Sequence, residues 1–162
     1  MKHIWAPWRI DYITSPKIKD CFLCAYFASE NDRENLVLAR GPTCGVVMNR
    51  YPYTGGHLMI CPYRHISSLG ELTTEEMTEM MKWSAISVDI LKKHMKPDGF
   101  NIGLNLGEAG GAGLKDHLHM HVVPRWIGDT NFTSVVGDLR VIPQALEALF
   151  DQLQPTFEAL PS

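Results

Sequence analysis

Residues 117–123 read His117-Leu118-His119-Met120-His121-Val122-Val123, and Pro124 follows. The alternation predicts a strand stopped at Pro124. Residues two apart on a strand share a face, so the three imidazoles lie on one side and Leu118, Met120 and Val122 on the other. Adjacent histidines are then ~6.6 Å apart, and the outer two ~13 Å. Such a cluster of an uncommon residue points to chemistry more than to a solvated sheet face. Two histidines at this spacing can clasp a metal ion. Alternatively, one neutral imidazole attacks an electrophile while a neighbour moves a proton. Their ~13 Å spread makes it hard for all three to hold one ion undistorted. An outer histidine is better suited to a structural task and the middle one to nucleophilic attack.

Just upstream, Gly107 to Gly113 reads GEAGGAG. Glycines such as Gly111 and Gly113 let backbone N–H groups come close to an anion. A glycine-rich loop immediately before the histidines suggests attack on phosphorus. Phe100 to Leu106 alternates as a further strand, and Leu36 to Ala39, Gly45 to Asn49 and His57 to Cys61 read as short strands. Tyr51 to Gly56 is turn chemistry. A long helix starts at a capping box of Thr73 and Glu76, with Leu72 stapled on Met77. Met77, Met80, Met81, Ala85, Val88, Leu91 and Met95 follow as a helical stripe expected to face the core, and Pro97 ends the helix. A second helix is expected over Gln144 to Gln152, with Pro143 in its first turn. The first thirty or so residues look irregular. Strands in adjacent pairs around one long helix predict an α+β fold with an antiparallel sheet.

The chain has 162 residues, a net charge of −3, 45% hydrophobic and 20% charged residues, four cysteines and seven histidines. This is the size of one domain, expected over 1–162 with a core at about 35–130. The mild acidity argues against a nucleic-acid partner. No run nears the ~20 apolar residues of a membrane span, and the N-terminus lacks a signal peptide's apolar core. A cytoplasmic protein with reduced cysteines is expected. Cys44 and Cys61 fall in apolar stretches and read as core residues. Cys21-x-x-Cys24 is compatible with a tetrahedral metal site that needs two more ligands. His3 and His94 read as surface residues.

HLHMHVV followed by Pro124-Arg125 resembles the signature of the histidine-triad superfamily of nucleotide hydrolases and transferases. Asn49 followed by YPYTGGH and the LMICP strand is similar to that family's upstream segment. FNIGLNLGEAGG, HVVPRW, GDTNF and the N-terminal WAPWR are similar to its Fhit-like and bacterial diadenosine tetraphosphate phosphorylase-like branch. The resemblance implies cleavage of dinucleoside polyphosphates such as diadenosine tri- or tetraphosphate. In this reading His119 attacks the α-phosphorus, and water or phosphate releases the nucleotidyl-histidine. His121 contacts the phosphate and assists the leaving group. Asn49 holds the ribose or orients the site, Asn105 lies near the phosphates, and His57 forms part of the wall.

The resemblance also implies a structural zinc on Cys21, Cys24, His65 and His117, in a binding segment over 1–34, and a homodimer. Trp5, Trp8 and Trp126 are candidate interface or base-stacking aromatics. One departure stands out. Fhit-like hydrolases carry Gln four residues before the first triad histidine, and some mycobacterial relatives Ser, where this chain has Gly113. An adenosine phosphoramidase and a nucleotide-binding regulator with little turnover are the alternative readings.

Overall fold

The computed structural model describes residues 21–129, 142 and 144–160. His3, Trp5, Trp8, Pro143 and the end of the GDTNF segment lie outside the described residues. The chain begins with helices α1 (Phe22–Ala28) and α2 (Asp32–Asn35), then strands β1 (Val37–Arg40), β2 (Cys44–Met48) and β3 (Leu58–Pro62). The long helix α3 (Thr74–Met95) leads into β4 (Gly99–Leu104), β5 (Met120–Arg125) and helix α4 (Leu146–Glu158). The strands form one antiparallel sheet in the order β1-β2-β3-β5-β4, as the α+β expectation required.

Alternation splits the sheet's side chains between two faces. Leu38, Val46, Met48, Leu58, Ile60 and Val122 pack on one side with Met80, Leu91, Leu149, Phe150 and Leu153 of α3 and α4. On the other face Val47, Met59 and Cys61 pack with Leu23 of α1. Gly45 permits that contact, because a Cβ there would stand 2.3 Å from the Phe27 ring. The β5–β4 half of this second face holds His121, Val123, Gly103 and Asn101 beside an open cavity.

Several expectations need correction. Residues 21–35 are not irregular: they form α1 and α2. Neither is long enough to be stable alone, and α1 has no side-chain cap. Tertiary burial of Leu23 holds α1, a force that local sequence signals do not report. The capping box of α3 is present, with Thr73 and Glu76 bonded reciprocally. Its buried face, however, is Glu76, Met80, Ser84, Ser87, Ile90 and Leu91. Met77 and Met81 are exposed. A 3.6-residue period fits two adjacent stripes, and the small serines let the helix approach the sheet. His94 is half-buried and meets Thr156 of α4 at 2.9 Å.

The α4 helix starts at Leu146 and runs through Pro155 to Glu158. Burial of Leu153 and Phe157 offsets the proline's lost backbone bond. β5 starts only at Met120, so His117 and His119 precede the ladder, and it passes through Pro124. The pairing with β3 ends at Leu58↔Val122, and the Pro124 carbonyl is taken by the Thr54 hydroxyl at 2.9 Å. The N–H that proline lacks would face that same side, so no ladder bond is lost. Cys44 and Cys61 are fully buried, as expected of core thiols. Among the described residues no helix is long and apolar enough to cross a membrane.

Candidate active site and metal centre

Two histidine clusters share the 117–121 segment. In the first, His57, immediately before β3, brings its Nε2 to 2.8 Å from His121 Nδ1 of β5. The Tyr53 backbone N–H donates to His57 Nδ1 at 3.1 Å. A neutral His57 therefore carries its proton on Nε2 and donates it to His121 Nδ1. His121 in turn keeps its own proton on Nε2; the Asn105 amide nitrogen 3.4 Å away is also a donor and does not bond it in this tautomer. Burial, then the neighbouring His121, lowers the His57 pKa to about 3. Burial, then His119, lowers that of His121 to about 4. Both are neutral near pH 7, and the chain Tyr53–His57–His121 delivers one fixed N–H donor.

His119 is oriented separately. Its Nδ1–H donates to the His117 carbonyl at 2.8 Å, which leaves the Nε2 lone pair without a partner among the described residues and available for attack. The His119 and His121 rings stand edge to face with centroids 4.8 Å apart. Asn49 lies 3.3 Å from His57 Nδ1, and its backbone N–H donates to the His57 carbonyl at 3.0 Å. The Gly111 carbonyl lies 3.5 Å from Asn105, and the Gly111 N–H is spent on Glu108 at 3.0 Å. The Gly113 N–H has no partner among the described residues, and a Cβ at Gly113 would meet nothing within 4 Å. The structure thus gathers His57, Asn49, Asn105, Gly111, His119 and His121 in one region. Tyr53 went unnoticed in the sequence because its contribution is a backbone N–H and a ring 4.5 Å from His57.

The second cluster is Cys21, Cys24, His65 and His117, whose ligand atoms all lie within 4.8 Å of one another. Cys21 occupies the N-cap position of α1 and Cys24 lies three residues on, which turns both sulfurs to one side. The His117 Nε2–H donates to the Pro62 carbonyl at 2.8 Å. That leaves Nδ1 as the ligating atom, 3.2 Å from Cys21 Sγ and 3.4 Å from Cys24 Sγ. His65 Nδ1 is 3.4 Å from Cys24 Sγ. Sulfur and nitrogen ligands on a tetrahedral zinc stand about 3.5 Å apart, so the set fits that ion. Burial and the neighbouring Cys21 raise the Cys24 thiol pKa, a penalty that a bound cation removes. His65 is placed from below. Arg64 donates to both oxygens of the buried Glu76 at 2.8 and 2.6 Å, so the α3 capping box also anchors the His65 backbone.

The HIT domain family matches residues 30–126. The chain belongs to the histidine-triad family. An AP-4-A phosphorylase from Mycobacterium tuberculosis is 42% identical over 154 residues, covering 90% of this chain and 79% of that protein. A bis(5'-adenosyl)-triphosphatase from Dictyostelium discoideum is 28% identical over 49% of this chain and 52% of its own length. Among solved structures, a zinc-bound histidine triad protein from Mycobacterium smegmatis has a TM-score of 0.62 and 25% identity, covering 85% of this chain and 97% of that one. A Sulfolobus tokodaii histidine triad nucleotide-binding protein shares the fold, with a TM-score of 0.66, 22% identity and coverage of 85% and 92%.

The buried histidines predict acid sensitivity in this histidine-triad protein. Their folded pKa values lie below the ordinary 6.5, so the unfolded chain takes up protons first as pH falls. Stability is intact above that pH and is lost towards about 4, at ~1.4 kcal/mol per pH unit for each histidine in that window. Urea melts at about pH 7 and about pH 5 should show the loss, and His57→Asn should flatten it. Equal stability at both pH values would refute the assignment.

Proposed function

We propose that this chain cleaves dinucleoside polyphosphates, diadenosine tri- or tetraphosphate among them, through a nucleotidyl-His119 intermediate. The observation that carries the reading is the free Nε2 of His119 beside the fixed Nε2–H of His121. The 42% identity to an AP-4-A phosphorylase supports the substrate class. The His119 Nε2 lone pair attacks the α-phosphorus and forms a P–N bond. The bond from that phosphorus to the bridging oxygen breaks, and the nucleoside polyphosphate leaves with its electron pair. His121 donates its Nε2–H bond to the oxygen that gains charge. Water or phosphate then attacks the same phosphorus, the P–N bond breaks, and the imidazole is regenerated.

Asn49, Asn105, His57, Gly111 and Gly113 line the path of the substrate in this reading. Zinc, where bound, holds Cys21, Cys24, His65 and His117 together and supplies structural rigidity. We further read the chain as one domain over 1–162 with its core at about 35–130, cytoplasmic and homodimeric. The exposed Met77, Met81 and Ile102 suit a partner surface. The half-buried Trp126 is a candidate interface or stacking residue. No nucleic-acid or membrane partner belongs to the reading.

Gly113 bears on the acceptor. It offers a backbone N–H and open space where relatives carry a side chain, and room for inorganic phosphate follows. Diadenosine tetraphosphate with phosphate should therefore yield ADP and ATP. AMP and ATP alone, with no ADP, would overturn phosphorolysis and leave hydrolysis. A preference for adenosine phosphoramidate would favour the phosphoramidase alternative.

A further inference from the structure

One cavity of about 350 Å³ opens on the half of the sheet that the described residues leave uncovered, lined by Tyr53, Asn101, Gly103, His121, Val123 and Arg125 among others. His119 is not among its lining residues. The cavity begins at His121 and runs along β5 to Arg125, four residues or about 13 Å further on. A displacement at phosphorus places the entering and leaving atoms roughly in line. With His119 entering on one side of His121, the departing group moves past His121 and away from His119, which is where the cavity lies.

Gly103 sits at the entrance. It is the direct ladder partner of His121, so a side chain there would project from the same face. Its φ is not in the left-handed region, and a Cβ would meet nothing within 4 Å among the described residues. Neither backbone geometry nor crowding accounts for glycine. Glycine inside a strand weakens it and often marks a close approach by a ligand. At the far end, Arg125 is engaged by Asp129 at 2.5 and 3.0 Å and by Asn101 at 2.7 Å. The paired carboxylate cancels the charge that a phosphate would need. The hydrogen-bonding groups and the Val123 and Tyr53 surfaces suit a ribose and base instead.

We propose that this cavity seats the leaving nucleoside polyphosphate, its phosphates beside His121 and its nucleoside towards Asn101 and Arg125. Gly103 is the specificity-determining residue that keeps its entrance open. The inference rests on the dinucleotide-cleaving reading and deepens it. The test compares two substrates that share the adenylyl group and differ in the leaving group. One is diadenosine tetraphosphate, and the other is adenosine 5'-phosphorofluoridate, which releases only fluoride.

Gly103→Leu should lower kcat/KM for the tetraphosphate by about a hundredfold and leave the fluoridate within about twofold. Gly103→Ala fits the open space, should fold with an unchanged Tm, and should show the same selectivity in smaller degree. Equal losses on both substrates, or no loss on the tetraphosphate, would overturn the inference while leaving the functional reading intact. If Gly103→Leu fails to fold, Gly103→Ala decides by the same ratio. A wild-type protein that turns over the fluoridate but not the tetraphosphate would overturn the reading, and with it the inference.

Discussion

His119→Asn should lower turnover of diadenosine tetraphosphate by at least about 10⁴-fold while nucleotide binding and Tm stay near those of the wild type. The asparagine amide can donate to the His117 carbonyl in place of the imidazole Nδ1–H, so the buried position keeps its hydrogen bond. What it cannot supply is a nucleophilic nitrogen. His121→Asn should cost less, roughly 10²–10⁴-fold, because it removes a positioned N–H donor and not the attacking atom. Acid-sparing quench of the wild type during turnover should trap a nucleotidyl adduct on His119, read by mass spectrometry, and none in the variant. Turnover retained by His119→Asn would refute the nucleophile. Loss of turnover separates the enzyme from a regulator, whose signalling role needs only binding.

The placement of the three histidines was partly legible, because part of what surrounds them is in the sequence. Alternation put the imidazoles on one side of the chain, and the apolar partners Met120 and Val122 do pack on the opposite side. Of the three, only His121 stands on the strand. His117 and His119 lie before β5, whose ladder begins at Met120. That departure lets His117 turn towards Cys21 and Cys24 while His119 bonds its carbonyl.

The capping box at Thr73 was equally visible, being a local pattern. Its link to the candidate metal ligand His65 was not, since Arg64 reaches Glu76 from another element. The cavity also escaped notice. Its defining residue, Gly103, matters for the side chain it lacks, and only the cross-strand register with His121 shows what that space adjoins. Met77 and Met81 mark the opposite limit, because apolar periodicity alone cannot say which of two adjacent stripes faces inward.

Protein purified without chelator should contain stoichiometric zinc, and removing it should be the costliest single change to stability. The four candidate ligands come from three segments far apart in the chain: the start of α1, the turn after β3, and the segment before β5. A bound ion therefore ties together elements that otherwise meet over the small cluster around Leu23, Val37, Val47, Met59 and Cys61. Structural zinc contributes on the order of 10 kcal/mol in small domains that fold around it, and a fraction of that is expected where a sheet already exists. Cys24→Ser should abolish zinc retention and lower Tm, with chelation of the wild type producing the same shift. Activity should fall as well, because the ligand His117 offers the carbonyl that orients His119. That loss should appear in kcat and persist at saturating substrate, since the zinc ligands lie apart from the cavity residues. Metal-free wild-type protein with full stability, or chelation that leaves both Tm and kcat unchanged, would refute the coupling. Chelation that lowers Tm but spares kcat would confine zinc to the fold and require His119 to be oriented by the sheet alone.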